Sequence, residues 1–202
     1  EQVSAFEAGI KTKLFDNRVR FNLAGYHYEI ANLQVQKVVG VGGFQVDNAA
    51  TAKIYGVEAS LTALLTENLQ IDIAGMLQSA KYEDFSNCDE TAFTGACSGS
   101  DPRLLADRLT DVSGNWLNRA PPYSLNVGLQ YEWKMQDGGN LLIRGETFFS
   151  GKVRFSEFER AEATQPAYDT QNLFVTYTFP NDRFILRGYV KNIADTDHKV
   201  SY

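Results

Sequence analysis

The 202-residue sequence lacks any apolar run close to the roughly 20 residues that a membrane-spanning helix needs. Proline is scarce, and there are only two histidines and two cysteines. A chain without a long apolar run is either soluble or crosses a bilayer as a closed β-barrel, in which every backbone group pairs between strands. No basic segment followed by an apolar one is present at the start, so no signal peptide is visible. Because the chain begins almost inside a strand at Val3, we expect an upstream part to be missing.

The net charge of −6 comes without a basic stripe, which argues against a nucleic-acid partner. His27 and His198 are isolated, and no spacing assembles a catalytic triad, a phosphate loop or a metal cluster. We therefore predict no catalytic residue, no metal site, no cofactor and no enzymatic activity. The acidic residues that would serve as catalytic acids only if two converged are interpreted as salt-bridge partners: Glu58, Asp72, Glu132 and Glu146.

The main positive signal is alternation of apolar and polar residues with period two. It is clearest from Tyr123 to Trp133, where one face is wholly apolar and the other wholly polar. An aromatic fraction of 12% and abundant glycine, threonine and valine also favour strands. Eight strands of about ten residues or more are predicted, at 6–15, 18–30, 54–65, 69–81, 123–133, 139–150, 168–179 and 183–192. Ten residues is about the length that a tilted membrane strand needs.

Short and long connections alternate along the chain. Short turns are predicted at 16–17, 66–68, 136–139 and 180–182, and long irregular links at about 35–51, 83–119 and 155–167. In a meander this alternation puts the short turns at one rim and the long loops at the other, as in outer-membrane barrels. The sequence therefore predicts an all-β fold, an antiparallel transmembrane β-barrel meander.

The polar face is rich in asparagine, glutamine, serine, glycine and threonine, whereas a soluble sheet would carry many lysines and glutamates outside. Each charge would cost about 2–4 kcal/mol on the lipid face at mid-membrane, so we place the charges in a wet lumen. These residues are Lys11, Lys13, Arg20, Glu58, Asp72, Glu132, Arg144, Glu146, Arg187 and Lys191.

Four stretches resemble the C-terminal barrel of the TonB-dependent outer-membrane receptor family. Phe6 to Arg18 resembles a hairpin of that family, and Asn48 to Glu58 resembles its loop-to-strand segment ending in Gly-Val-Glu. Asn118 to Leu125 is similar to the proline-led strand entry after a large external loop. Gly188 to Asp195 resembles the near-terminal strand. The resemblance extends over essentially the whole chain, with the four stretches in the family's order and spacing.

The resemblance implies a 22-stranded type of barrel that is closed by an N-terminal plug and lies in the outer membrane of a Gram-negative bacterium. Residues 1–202 would be the C-terminal portion, with the plug, the first strands and the last strand absent from this sequence. The implied activity is import of a scarce ligand, with an iron–siderophore complex as the first expectation. The implied partners are the lipid bilayer, lipopolysaccharide, the protein's own plug, an inner-membrane TonB-type energy-coupling complex and a small-molecule metal chelate.

Cys88 and Cys97 lie close together in the longest predicted loop. We predict that they form a disulfide in an oxidising compartment, which would stabilise the loop by roughly 3 kcal/mol in the chain-entropy model. Free thiols or a pair of metal ligands are the alternatives, although no histidine or further cysteine lies nearby.

Arginines and aromatic residues of the predicted external loops are the ligand-binding candidates. Such residues could hold an anionic, aromatic metal chelate by charge-assisted hydrogen bonds and cation–π contacts. The alternative is that they are ordinary interface aromatics and rim ion pairs. The candidates are Tyr82, Phe85, Arg103, Arg108, Trp116, Arg119, Arg154, Phe155 and Arg160.

Three other classes of protein stay open. A complete small eight-stranded outer-membrane barrel, acting as an anchor or adhesion protein, requires the first and eighth strands to pair. A soluble lipocalin-like binder would fold without detergent. An outer-membrane hydrolase requires a convergent acid–base site.

Overall fold

The computed structural model describes residues 1–39, 43–89 and 109–201. Eight strands form one antiparallel sheet in the order β1-β2-β3-β4-β7-β8-β11-β12, and two short ladders, β5-β6 and β9-β10, lie in the connections. The strands are β1 (Gln2–Leu14), β2 (Val19–Val39), β3 (Gly43–Leu64), β4 (Leu69–Asp84), β5 (Ser86–Cys88), β6 (Leu109–Asp111), β7 (Tyr123–Lys134), β8 (Asn140–Ser150), β9 (Val153–Arg154), β10 (Thr164–Gln165), β11 (Tyr168–Thr178) and β12 (Ile185–Val190). A short 3-10 helix, Pro180–Asp182, joins β11 to β12. Over the described ranges, no helix is long and apolar enough to cross a membrane.

All eight predicted strands are present in the large sheet, and each pairs with its neighbour along the meander. The short turns use the predicted turn chemistry. Thr66 Oγ1 accepts the backbone N–H of Leu69 at 3.0 Å, and Asp137 Oδ1 accepts that of Gly139 at 2.8 Å. The short turns connect the strands at one rim of the sheet, and the long connections lie at the opposite rim.

The prediction of irregular links was wrong in part. Strand β2 continues to Val39 and β3 begins at Gly43, and these two residues pair with each other across the predicted link at 35–51. The link at 83–119 contains the paired strands β5 and β6, and the link at 155–167 contains β10, which pairs with β9 just before the link. The β2–β3 ladder has register shifts between Ile30 and Leu33, where Asn32 adopts a positive φ of 55°. The strand therefore does not continue with regular alternation past Ile30, and the sequence pattern did not predict its extension.

The apolar face of the sheet is uncovered. Leu77 and Leu129 are 62% and 50% exposed, and buried side chains within the sheet are mostly alanines. In a soluble sandwich or lipocalin this face would form the core, so its exposure argues against the soluble alternative. We call it the outer face, and we call the opposite, polar face, which carries Asp72 and Arg144, the inner face.

The sheet is open. Among the described residues β1 pairs only with β2, and β12 pairs only with β11. A complete eight-stranded barrel requires these two edges to pair with each other. The structure therefore contradicts that alternative and corresponds to a portion of a larger barrel wall.

Candidate functional site

The described parts of the long connections form a layer against the inner face of the sheet. Its centre is a cluster of buried side chains from β3, β4 and the connection that follows β4. The cluster consists of Ala50, Tyr82, Phe85 and Val112, against which Leu33, Val35, Leu117 and Phe158 pack. Leu33 and Val35, which pack against it, lie on β2 at and just beyond the register shifts in the β2–β3 ladder. We call this assembly the external layer.

Two of the predicted ligand-binding residues lie at the centre of the external layer. Tyr82 is 5% exposed and Phe85 is 1% exposed, and their ring centroids are 5.1 Å apart. Burial, together with the nearby Glu157 carboxylate, raises the pKa of Tyr82 to about 12. Neither ring offers a surface to a ligand in this arrangement. A direct binding role for these residues stays a prediction that would require the cluster to open.

Trp116 and Arg154 contact each other within the external layer. The Arg154 guanidinium lies 5.1 Å from the centre of the Trp116 ring, and Lys81 Nζ lies 5.8 Å from it. Arg154 Nε also pairs with Glu159 Oε2 at 3.1 Å, and the backbone N–H of Trp116 donates to Glu159 Oε1 at 2.7 Å. These groups hold neighbouring loop segments together, as in the rim ion pairs that the sequence left as an alternative.

Arg160 is also engaged within the protein, because its Nε and Nη2 donate to Asp89 Oδ2 at 2.9 and 2.5 Å. Phe155 is half-buried, and its backbone N–H donates to the Ala163 carbonyl at 2.8 Å. Arg119 differs from these residues because its side chain is exposed while its backbone N–H donates to the Arg154 carbonyl at 2.7 Å. Its exposed guanidinium is the described candidate that is best placed to meet a ligand.

Three predicted residues, Arg103, Arg108 and Cys97, lie outside the described residues. Their ligand-binding roles and the disulfide to Cys88 therefore stay predictions. Sequence reasoning also missed the acidic residues that organise the layer, Glu157 and Glu159. The acidic–aromatic alternation around Phe158 was a weak local signal, because apart from Arg154 their partners lie about 40 to 70 positions away in the chain.

The inner face carries a polar network that crosses three strands. Arg144 Nη1 on β8 donates to Asp72 Oδ2 on β4 at 2.7 Å, and Arg144 Nε donates to Glu146 Oε1 at 2.7 Å. Thr62 and Gln70 complete the shell of Asp72 at 2.9 to 3.1 Å. The prediction that Asp72 and Glu146 are salt-bridge partners on the polar face is confirmed by their pairing with Arg144, whereas Glu132 accepts the side-chain N–H of Asn140.

A glycine on the middle strand makes this crossing possible. Gly128 on β7 pairs with both Asp72 and Glu146, and an added Cβ there would overlap with Arg144 Nη2. Gly56 has the same function between β2 and β4, where the Tyr26 hydroxyl passes over it to reach Gln78 Oε1 at 3.2 Å.

Exposed aromatic residues gather near both ends of the strands. The strands β7, β8 and β11 have 12, 11 and 11 residues. About ten strand residues tilted by about 40° rise some 25 Å, which is the height of the apolar band of an outer-membrane barrel. Near the loops lie Phe6, Tyr55, Tyr123 and Phe149, and near the short turns lie Phe15, Trp133, Phe179 and Phe184. Fold and site thus define the wall of a transmembrane β-barrel with an aromatic girdle at each interface.

The family model for TonB-dependent receptor-like β-barrels matches residues 1–193. The chain belongs to this family of outer-membrane receptors.

Solved structures of receptors have the same fold. The ferric yersiniabactin uptake receptor FyuA from Yersinia pestis aligns with a TM-score of 0.72 at 16% identity, over 98% of this chain and 26% of that chain. The siderophore receptor PiuA from Acinetobacter baumannii aligns with a TM-score of 0.71 at 18% identity, over 97% and 25%. The pyoverdine outer membrane receptor FpvA from Pseudomonas aeruginosa aligns with a TM-score of 0.63 at 17% identity, over 97% and 26%. The chain thus spans about a quarter of the length of these receptors.

Proposed function

We propose that this chain forms part of the barrel wall and external loops of an energy-coupled outer-membrane transporter that imports an iron–siderophore complex. The observation that carries the proposal is the pairing of two features in one sheet. The outer face is apolar and uncovered, while the inner face is polar and bears a folded layer of loops at one rim only. The structural neighbours include receptors for yersiniabactin and pyoverdine, which supports a siderophore as the class of ligand.

The open edges support the larger architecture. Strands β1 and β12 each leave one row of backbone groups unpaired by another strand among the described residues. In lipid such groups must be paired, so we propose that further strands of the same polypeptide continue the sheet on both sides. A plug within that barrel would receive energy from an inner-membrane TonB-type complex. The outer face would contact the lipid bilayer and lipopolysaccharide.

Ligand capture would be the task of the external layer. Arg119 presents an exposed cation there, whereas Arg154 and Arg160 are paired with carboxylates within the protein. An anionic chelate would receive charge-assisted hydrogen bonds from Arg119 and from the predicted Arg103 and Arg108. Transport of this kind requires binding and release but no covalent chemistry, so we propose a receptor and transporter role without catalysis.

Binding of ferric siderophores to the full-length receptor tests the proposal. We expect Arg119→Ala to weaken binding by about tenfold, because the charged hydrogen bond that it removes is worth about 1.5 kcal/mol or more. Replacing residues 90–108 by a short glycine–serine linker should weaken binding further. The matched control is Arg183→Ala, since Arg183 is an exposed arginine of the short turn at the opposite rim. Binding of haem, cobalamin or a glycan without any ferric chelate would overturn the choice of ligand.

A further inference from the structure

The segment 157–160, between β9 and β10, makes polar contacts to two other parts of the external layer. We call this segment the clasp. Glu157 Oε1 accepts the side-chain N–H of Asn87 at 2.7 Å, and Arg160 binds the Asp89 carboxylate through two nitrogens at 2.9 and 2.5 Å. The clasp therefore contacts the segment around Cys88 at Asn87 and at Asp89, one on each side of the cysteine.

The same segment also holds the connection that leads into β7. Asn115 Nδ2 donates to the Glu157 carbonyl at 2.9 Å, and Asn118 Nδ2 donates to Glu157 Oε2 at 3.4 Å. Glu159 accepts the backbone N–H of Trp116 at 2.7 Å. Asn118 directly precedes Arg119, the exposed arginine. The clasp therefore contacts the residue next to the best-placed ligand candidate.

The groups that the clasp holds in the Cys88 segment are buried. Asn87 is 6% exposed and Asp89 is 7% exposed. A buried polar group that loses its partner retains the full cost of desolvation, so these pairs strongly favour one arrangement of the loops over alternatives. An apolar contact, such as that of Phe158 with the cluster, lacks this directional requirement.

We propose that Glu157 and Arg160 are positioning residues that join the β8–β11 connection to the Cys88 and Arg119 segments of the β4–β7 connection, so that the two connections move as one body. The carboxylate of Glu157 is the centre of this body because it contacts both segments. The consequence for ligand affinity rests on the proposed function, whereas the mechanical coupling of the loop segments is independent of it.

A donor–acceptor exchange between positions 87 and 157 tests the coupling in the full-length receptor. Asn87→Asp places two carboxylates against each other, and Glu157→Gln removes the charge and one acceptor. The double variant N87D/E157Q restores one donor and one acceptor, and the new carboxylate at position 87 can still accept the Cys88 backbone N–H, which Asn87 Oδ1 accepts at 2.9 Å. The control is Glu162→Gln, at an exposed residue just beyond the clasp.

Hydrogen exchange of the backbone amides at 109–118 is the measurement. We expect each single variant to speed exchange there by about tenfold or more, as for the loss of a hydrogen bond to a charged group. The double variant should return to within about threefold of wild type, since both partners are again satisfied. Unchanged exchange in β7 and β8 would show that the wall stays folded.

Two results separate this inference from the proposed function. If the single variants leave exchange at 109–118 unchanged, or if the double variant shows no rescue, the coupling is refuted whatever the receptor binds. If the exchange pattern is as expected but the wild-type receptor binds no ferric siderophore, the coupling stands and the proposed function fails. If both hold, siderophore affinity should fall in each single variant and recover in the double variant.

Discussion

At the scale of single residues, the inner wall depends on side chains that are missing as much as on those that are present. Arg144 reaches Asp72 across an intervening strand because Gly128 has no side chain in its path. The contact pairs a charge on β4 directly with a charge on β8. Gly56 allows Tyr26 to reach Gln78 in the same manner. Polar contacts on the inner face therefore join strands that are separated by one other strand.

Gly128→Ala should displace the Arg144 guanidinium, because the new Cβ would overlap with Arg144 Nη2. We expect a loss of about 1–3 kcal/mol in unfolding free energy from the broken charged hydrogen bonds. Urea unfolding of the full-length receptor in lipid vesicles measures it. Gly145→Ala is the control, since a Cβ at Gly145 meets no atom within 4 Å. Equal effects of the two substitutions would contradict the proposed role of Gly128.

The predicted disulfide between Cys88 and Cys97 is tested by alkylation under denaturing conditions. We expect no label before reduction and two labels after it, because these are the only cysteines in the sequence. The mass of the proteolytic peptides that contain Cys88 and Cys97 gives the number of labels. Labelling of either cysteine without reductant would show that the bond is absent.

At the scale of elements, the two rims of the sheet are built differently. The short turns are closed by their own side chains, as by Thr66 and Asp137. The long connections instead contact one another through a shared apolar cluster and through ion pairs such as Arg160 with Asp89. This difference predicts which rim faces the outside of the cell.

An epitope inserted between Ala161 and Glu162, two exposed residues of the external layer, should bind antibody on intact cells. The same epitope inserted after Glu67, in the short turn between β3 and β4, should bind only after the outer membrane is permeabilised. Short turns of outer-membrane barrels face the periplasm, which is the reason for the difference. Antibody binding at Glu67 on intact cells would reverse the assigned orientation.

At the scale of the whole molecule, the described sheet leaves an apolar face and the backbone groups of its two edge strands without partners in the sheet. Its outer face is apolar and exposed, and two of its edges have no partner among the described strands. Water would penalise the outer face, whereas lipid would penalise the open edges. Only a larger closed wall within a membrane removes both penalties.

The native polypeptide should therefore have a denatured mass several-fold above the 22.6 kDa of this sequence. The matched receptors, of which the chain covers about a quarter, set the expected scale. Mass spectrometry of the protein extracted from outer membranes gives the value. A mass near 22.6 kDa would remove the mechanical basis of the proposed transporter.

The sequence by itself determined the strands, the turns and the two faces. Tyr123 to Trp133 shows the reason: alternation with period two depends on local geometry, and each residue reports its own environment of lipid or water. The same local logic predicted lumen charges at Asp72 and Arg144. It failed at 35–51, where a register shift near Asn32 interrupts the alternation although the strands continue.

Only the tertiary structure decided how the external layer is assembled. Arg154 and Arg160 looked like ligand contacts in the sequence, yet they pair with Glu159 and Asp89. Asn87 and Glu157 are 70 positions apart, so their contact depends on how two loops fold over the same rim. Strand patterns arise from neighbours along the chain, whereas buried polar pairs arise from packing between distant segments, and no local pattern encodes that packing.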